Sequence, residues 1–378
     1  MKDFAIISKA IEDKTIVWFE TNNKYSILEQ RAAKIVEQLS NDKAVEVIAD
    51  EVANDLNVPF EKAIDFVIKL NKDLYKPNLK KEVNLTDDYR DLVKPQEFDY
   101  VKHYQINNLT LTSYFKTEKE LDLIHPKFEH LEVNTSNSSD VVFEVFSQHN
   151  YTFLFVDKKF IGAWGTKDIH YFQGKFLMEL IQKIHQKNED EWLGVFHASA
   201  LTNGKKSILF LGDSGNGKST SLALLQANGF TCLADDFVPV DARNKEVFAF
   251  PAAISIKKNS LPILAPFYPE LESIKEYSLK VSNKIVRYLK PNNSDYSLHL
   301  PCNDLVFIKY EQGVELDFNP ISKLEAFQQL IPDSWLSPKK ENAQLFLDWF
   351  ATTNCYELTY SDNEKMINQV RNLFDDEL

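Results

Sequence analysis

Nine consecutive residues in the second half of the chain have the composition of a phosphate-binding loop. They read Gly-Asp-Ser-Gly-Asn-Gly-Lys-Ser-Thr and fit the pattern Gly-x-x-x-x-Gly-Lys-Ser/Thr. Glycines in such a loop let several backbone N–H groups turn inward, where larger side chains would obstruct an anion. The lysine brings a cation to the β- and γ-phosphates of a nucleotide, and the next hydroxyl is a ligand for Mg²⁺. The predicted nucleotide-binding residues are Gly212, Asp213, Ser214, Gly215, Asn216, Gly217, Lys218, Ser219 and Thr220.

The segments on either side of this loop favour a nucleotide site over a glycine-rich turn that fits the pattern by chance. An apolar run from Ile208 to Leu211 predicts a strand that leads into the loop. A helical run from Ser221 to Gln226 follows it and ends near Gly229. This order places a helix N-terminus beneath the bound anion.

Two further groups of titratable residues lie close to the loop in sequence. Asp235 and Asp236 end an apolar run, and neighbouring residues at a strand end point to opposite sides. One acid can then face a metal ion and the other the hydroxyl group of an acceptor. Phosphoryl transfer needs both a bound metal ion and a positioned acceptor. His197 precedes the Asn203-Gly204 turn signal within the run Leu193 to Ala200, which we interpret as one strand. A histidine on a strand is more often a core residue, but a hairpin would bring this one near the acids.

Composition limits the class of protein. The 378 residues carry a net charge of −13, which disfavours non-specific binding to nucleic acid or to an anionic membrane. The three cysteines are widely spaced and fit neither a disulfide framework nor a zinc site, so we expect reduced, mostly buried thiols. We see no signal peptide and no run long enough to span a bilayer, and we therefore expect a cytoplasmic location.

The pattern of apolar residues predicts several regions. Two short strands come first, and from residue 26 to residue 74 three helical stripes follow, which suggests a small winged-helix-like unit. The polar segment 77–98 contains Pro77 and Pro95 and is a plausible linker. Strand-like runs and a helix over 171–186 come next, while residues 259–300 are too rich in loops to assign. The runs 305–309 and 314–318 predict a hairpin.

The combination of Phe196-His-Ala-Ser-Ala, the glycine loop and Leu-Ala-Asp-Asp resembles the catalytic core of the HPr kinase/phosphorylase superfamily. The resemblance covers residues 193–260 closely and about residues 100–375 in general layout. It implies an α/β (α+β mixed) fold like that of phosphoenolpyruvate carboxykinase, with a mixed sheet and a P-loop. The domains expected are therefore 1–76, a linker at 77–98, and a kinase domain at 99–378.

This resemblance also implies roles for residues. Lys218 and the loop amides would hold the phosphates of ATP, and Ser219 would ligate Mg²⁺ with Asp236 as the acid on the metal side. Asp235 would be the general base that deprotonates the acceptor, with His197 near it. Lys257, in a run resembling a segment that follows this core, is a further candidate for a phosphate contact.

The chain departs from the bifunctional HPr enzymes at two points. Thr220 stands where they have glutamate after Lys-Ser, and their downstream Pro-Gly-Arg signature is absent from the sequence. Both departures count against HPr as the substrate and against the reverse phosphorolysis. The chain looks more like diverged HPr-kinase-like proteins, some of which phosphorylate a serine on a precursor peptide or a free amino acid.

Residues 1–76 are similar in layout to the PqqD-like fold, in which an exposed strand edge binds a leader peptide by strand addition. A generic winged-helix interaction module is the alternative. A DNA-binding winged helix is disfavoured, because residues 24–76 hold eight basic and ten acidic residues.

The leading hypothesis is a kinase that transfers the γ-phosphate of ATP to a serine of a peptide or protein held by this unit. A small-molecule kinase and a nucleotide-sensing regulator stay open, as does a homo-oligomer.

Overall fold

Three strands and three helices form the N-terminal part of the chain. The computed structural model describes residues 5–80, 93–134, 138–279 and 284–376. The strands pair in the antiparallel order β1-β2-β3, and the three predicted helical stripes are confirmed. The prediction was wrong for residues 26–29, which extend the third strand instead of starting a helix. The elements are β1 (Ile6–Ile11), β2 (Lys14–Phe19), β3 (Lys24–Glu29), α1 (Gln30–Ser40), α2 (Val45–Leu56), α3 (Phe60–Leu70), a π-helical turn (Asn71–Tyr75) and α4 (Lys76–Asn78).

A six-stranded sheet and a long helix follow. The sheet has the order β6-β4-β5-β7-β8-β9. Helix α5 begins with a capping box formed by Thr117 and Glu120 and is followed by a 3₁₀ turn, His125–Lys127. Helix α6 agrees with the predicted helix. The elements are β4 (Tyr100–Ile106), β5 (Leu109–Phe115), α5 (Glu118–Ile124), β6 (Glu132–Val133), β7 (Val141–Gln148), β8 (Tyr151–Val156), β9 (Lys159–Gly165) and α6 (Ile169–His185).

The remainder of the chain builds a ten-stranded mixed sheet and a small three-stranded sheet, flanked by helices. The elements are β10 (Trp192–Phe196), β11 (Ser199–Thr202), β12 (Ser207–Leu211), α7 (Lys218–Ala227), β13 (Thr231–Asp235), β14 (Val238–Asp241), β15 (Glu246–Phe248), β16 (Ile254–Lys257), α8 (Leu261–Leu264), β17 (Tyr277–Leu279), β18 (Lys284–Leu289), β19 (His299–Tyr310), β20 (Leu316–Pro320), α9 (Lys323–Leu330), β21 (Trp335–Leu336), α10 (Lys340–Thr352), β22 (Asn354–Tyr360) and α11 (Asn363–Asp375). The fold is therefore mixed α/β with several sheets.

The order of the large sheet brings three strand ends to one edge. Its main path is β13-β11-β12-β19-β15-β14-β10-β21, with β22 beside β19. Strand β11 pairs antiparallel with both β12 and β13, so β12 and β13 run in the same direction. Strand β19 is parallel to β12. The segments that follow β12, β13 and β19 therefore lie at the same edge of the sheet. The glycine loop is the segment that follows β12, whose neighbours in the sheet are β11 and β19.

Two predicted strand arrangements were wrong. The run 193–200 is two strands, because the chain turns at His197, where the N–H of Ala198 donates to the carbonyl of Phe196 at 2.9 Å. The first half pairs with β14 and the second with β12 and β13. The predicted hairpin of β19 with β20 does not form, because β22 lies between them and pairs with both. The described part of residues 259–300 contributes α8 and the strands β17 and β18, which form the small sheet together with β16.

The described chain divides into two compact units. The first joins residues 5–80 to the segments Ser322–Gln328 and Leu336–Thr352, and the second holds the other described residues. The predicted domain 99–378 is thus interrupted twice, because aromatic side chains of α9 and α10 pack on the first unit's sheet. Tyr25 contacts Phe327 and Phe346 edge-on at centroid distances of 5.9 and 5.5 Å. Of the predicted linker 77–98, residues 81–92 lie outside the described residues.

The side chains of Cys232, Cys302 and Cys355 are buried, reduced thiols, as expected from their number and spacing. Within the described ranges, we find no helix with both the length and the apolar composition needed to cross a bilayer.

Candidate functional site

The glycine loop, residues 212–217, connects β12 to α7 through three glycines with positive φ. Gly212 has φ +128°, and a Cβ atom on it would lie 2.8 Å from the carbonyl oxygen of Ile308 on the neighbouring strand β19. Gly217 has φ +97° and forms the N-cap of α7. An L-residue at Gly212 would meet both backbone strain and a collision, so glycine is required there for the loop to approach β19. The sequence-based prediction of a strand, a glycine turn and a helix is confirmed.

The side chain of Lys218 folds back onto the first two residues of this loop. Its side chain is buried, and its ammonium donates hydrogen bonds to the carbonyl oxygens of Gly212 and, at 3.4 Å, of Asp213. Burial lowers the pKa of Lys218, and the nearby carboxylates of Asp236 and Asp235 offset this effect only in part. The carbonyl oxygens that it contacts are weak, neutral partners. A cation held in this way can exchange them for phosphate oxygens at little structural cost.

Asp235, the last residue of β13, is a fully engaged carboxylate. Its side chain is 2% exposed and accepts hydrogen bonds from Ser199 Oγ at 2.6 Å, Ser219 Oγ at 2.9 Å and the backbone N–H of Ser255 at 3.1 Å. Burial and the charge of Asp236 raise the pKa of Asp235, while these three donors act in the opposite direction. Asp235 thus joins the glycine-loop helix to β11 and β16.

Asp236 has different partners, because its φ of +67° takes it out of the strand. One carboxylate oxygen lies 2.9 Å from Nδ1 of His197, and the other lies 3.2 Å from Nζ of Lys127. Its side chain is 43% exposed, so solvent or a ligand can reach it. Burial alone would favour the neutral acid, but Lys127 and His197 outweigh it and hold the pKa of Asp236 well below its usual range. We call Lys127, His197 and Asp236 the charged triplet.

The pairing within the site differs from the pairing predicted. His197 was expected beside Asp235, but it contacts Asp236, and this hydrogen bond raises the pKa of His197 against the effect of burial. Ser219 was expected to share a metal with Asp236, but its hydroxyl donates to Asp235. The physical reason is the turn at His197, which ends β10 and places the imidazole beside the residue that follows β13.

The remaining predicted residues lie around the loop. Nζ of Lys257 is 3.5 Å from Oγ of Ser214, so this lysine reaches the glycine loop from the end of β16. Thr220 Oγ1 shares a hydrogen bond of 2.7 Å with Ser260 Oγ. The N–H of Asn216 donates to the carbonyl of Asp213 at 3.1 Å, which closes the turn around Gly215.

Sequence reasoning missed Lys127, Ser199 and Ser255. Lys127 comes from the 3₁₀ turn after α5, and the N–H of Ala253 donates to its carbonyl oxygen at 2.8 Å, which fixes the turn beside β16. Its burial opposes the charged form, yet the carboxylate of Asp236 raises the pKa of Lys127. Nothing in the local sequence distinguishes this lysine from others on the chain. Ser199 lies within the run Phe196-His-Ala-Ser-Ala, but the turn between β10 and β11 removes the strand alternation that could have assigned it a partner.

The pair Ser219 and Asp235 fits Mg²⁺. A hydroxyl and a carboxylate oxygen 2.9 Å apart supply the one or two protein ligands that Mg²⁺ usually takes, with phosphate oxygens and water as the others. Such a site needs fewer protein ligands than a dedicated metal cage. The described residues hold no cluster of three or more histidine, cysteine, aspartate or glutamate side chains suited to a metal ion.

Comparison with known proteins adds no family to this geometry. A scan against protein-family models finds no match, and a search of curated proteins finds no similar sequence.

Proposed function

We propose that the protein is an ATP-dependent kinase with an HPr-kinase-like P-loop fold that transfers the γ-phosphate to a hydroxyl group. The observation that carries this proposal is the meeting of the glycine loop, the Ser219–Asp235 pair and the charged triplet at one edge of the large sheet. A binding loop alone would serve many nucleotide-binding proteins. A reachable, ionised carboxylate beside a histidine and a lysine adds what transfer to an acceptor needs.

The binding half of the site is the loop with Lys218, Ser219 and Asp235. The loop amides and Lys218 would hold the β- and γ-phosphates, with Lys257 as a further cation beside Ser214. Ser219 and Asp235 would hold Mg²⁺, which neutralises charge on the phosphates when bound. Asp235 suits this role because its fixed serine and backbone donors orient the carboxylate toward Ser219.

The transfer half of the site is Asp236 with Lys127 and His197, and we assign the two aspartates the reverse of the roles given in the sequence analysis. Asp236 is exposed enough to meet an acceptor, whereas the oxygens of Asp235 are buried and bonded. In the reaction the acceptor oxygen forms a bond to the γ-phosphorus, and the bond from that phosphorus to the β,γ-bridging oxygen breaks. The acceptor proton passes to Asp236, and ADP leaves. The low pKa of Asp236 fits a loose transition state, in which the base mainly positions the hydroxyl.

Single substitutions of the two aspartates test this assignment. In Asp236→Asn we expect the rate of ADP formation to fall by about 10²–10⁴-fold while the Mg²⁺ concentration for half-maximal rate is unchanged. In Asp235→Asn we expect a large rise in that Mg²⁺ concentration. Lys218→Ala should abolish ATP binding, measured by calorimetry on the full chain. Wild-type protein that binds ATP but forms no ADP with serine peptides or free serine would favour the nucleotide-sensing regulator instead.

The acceptor class that we propose is a peptide or protein bound by the first unit. A groove of about 520 Å³ lies between the β3 edge and helices α1, α2 and α3, and it has an apolar lining with charged residues at its rim. In the described sheet β3 pairs with β2 alone, so its outer edge can take an added strand. The apolar residues that line the groove are Ile27, Leu28, Ala32, Ile35, Val52, Leu56, Phe66 and Leu70. This arrangement supports the PqqD-like reading of residues 1–76.

Helix α3 supplies a matched pair of variants for the peptide proposal. Phe66 lines the groove and is 45% exposed, while Phe60 on the same helix is 41% exposed and is not part of the lining. We expect Phe66→Glu to lower kcat/KM for a peptide substrate at least tenfold, since it places a charge in the apolar groove. Phe60→Glu should leave it unchanged, and ATP affinity should stay the same in both. Unchanged turnover in Phe66→Glu would favour the small-molecule kinase.

A further inference from the structure

An exposed tyrosine lies against the glycine loop on the side away from the acids. Tyr310 is the last residue of β19, and its N–H donates to the carbonyl oxygen of Asn216 at 2.9 Å. Its Cβ atom lies 3.5 Å from the position that a Cβ on Gly217 would occupy. The side chain is 44% exposed, which leaves ring surface open beside the loop.

The ring of Tyr310 is held by a buried support. It meets the ring of Tyr360 edge-on at a centroid distance of 5.6 Å. Tyr360 is itself buried in the core, and its hydroxyl shares a hydrogen bond of 2.7 Å with Ser221 Oγ on the first turns of α7. The backbone bond to Asn216 and this ring contact fix the exposed aromatic surface relative to the phosphate loop. A preorganised ring loses little freedom when a flat ligand stacks on it.

The order of the strands sets the direction in which a nucleotide would lie. Asp235 ends β13 and Asp236 directly follows it, on one side of β12, whereas Tyr310 belongs to β19, on the other side. The phosphate that is transferred must face Asp235 and Asp236, because these carry the metal and acceptor chemistry. The opposite end of the phosphate chain, which bears the nucleoside, therefore leaves the loop toward β19.

We propose that the ring of Tyr310 is the stacking platform for the nucleobase of the bound nucleotide. This inference rests on the proposed nucleotide site and adds the residue that recognises the base. Stacking of a base on an aromatic side chain is sequence-tolerant, because every base has a π-face. Tyr310 thus contributes to affinity for both ATP and GTP, and selection between them needs other groups.

The test compares ATP with inorganic tripolyphosphate, which offers the same chain of three phosphates without the nucleoside. Binding of each to the full chain with Mg²⁺ is measured by calorimetry in wild type, Tyr310→Ala and Tyr310→Phe. We expect Tyr310→Ala to weaken the binding of ATP by about tenfold or more and to leave the binding of tripolyphosphate unchanged. Tyr310→Phe should bind both like wild type. The control Tyr171→Ala removes another exposed tyrosine, on α6, and should change neither ligand.

Each other result overturns the inference. Equal affinity of wild type and Tyr310→Ala for ATP would show that Tyr310 does not stack on the base. Equal weakening of ATP and tripolyphosphate binding would show that Tyr310 only supports the loop. If wild type binds neither ligand, the proposed nucleotide site fails together with the inference. Tyr310→Leu keeps an apolar contact with Tyr360 and replaces the alanine variant if that one does not fold. In Tyr310→Trp, ATP but not tripolyphosphate should quench the added indole fluorescence.

Discussion

Removing the ammonium group of Lys127 should slow the proposed phosphoryl transfer without weakening the binding of the nucleotide. Nζ of Lys127 and Oδ2 of Asp236 are 3.2 Å apart. Two unit charges at this distance attract each other by about 1 kcal/mol in water and about 5 kcal/mol at the effective dielectric near a protein surface. Asp236 is partly exposed and keeps His197, so we take about 1–3 kcal/mol as the net effect on its position and charge. This corresponds to roughly a tenfold to hundredfold loss of kcat in Lys127→Met.

The assay is steady-state ADP formation with the same acceptor, together with calorimetric binding of ATP. We expect kcat to fall while the ATP dissociation constant stays within about twofold, because Lys127 contacts the acid and not the glycine loop. Lys127→Arg should restore part of the rate. The control Lys183→Met breaks a 2.7 Å surface pair with Asp157 in the same unit and should change neither value. A wild-type kcat in Lys127→Met would refute the role of the charged triplet.

Two further predictions concern stability. Gly212→Ala should lower the free energy of unfolding by about 3 kcal/mol or more, because strain at φ +128° adds to a 2.8 Å collision with the Ile308 carbonyl oxygen. Gly215 has φ +114° but open space around it, so Gly215→Ala should lower the free energy of unfolding by only about 1 kcal/mol. Both values are measured by urea titration. Burial lowers the pKa of His130 and His185 to about 4, so between pH 6.5 and 4 the unfolded chain binds protons that the folded chain does not. The free energy of unfolding should therefore fall by about 2–3 kcal/mol for each histidine as pH drops through this window, and His185→Gln, which can still donate to the carbonyl of Ala249, should flatten the dependence.

The parts of the site that depend on neighbours in sequence could be predicted. The glycine loop needs its strand before it and its helix after it, and all three follow from local composition. The same holds for the existence of the three N-terminal helices, and in α1 the predicted apolar stripe is the buried face. Local periodicity carries no information on which strands pair across long separations. For this reason β22 was not expected between β19 and β20, and two helices of the C-terminal half were not expected to pack on the N-terminal sheet.

Lys127 shows the same limit at the level of chemistry. It is separated from Asp236 by more than a hundred residues, and its ion pair depends on where a 3₁₀ turn docks against β16. That docking uses the backbone carbonyl oxygen of residue 127, which accepts the N–H of Ala253. A residue of any type at position 127 could provide this oxygen. Only the fold reveals that this position bears a cation next to an acid.

The two aspartates show how far a sequence argument can reach and where it stops. Alternation along a strand correctly requires that neighbouring acids serve different partners, and the structure gives them none in common among the hydrogen bonds described. Alternation does not say which acid faces the loop, because that depends on where the strand ends. Here β13 ends at Asp235, and Asp236 takes a left-handed conformation that aspartate tolerates better than most residues. The acid inside the strand is therefore locked to Ser219, and the one beyond it is turned toward His197 and Lys127, which is why we assign proton acceptance to the second.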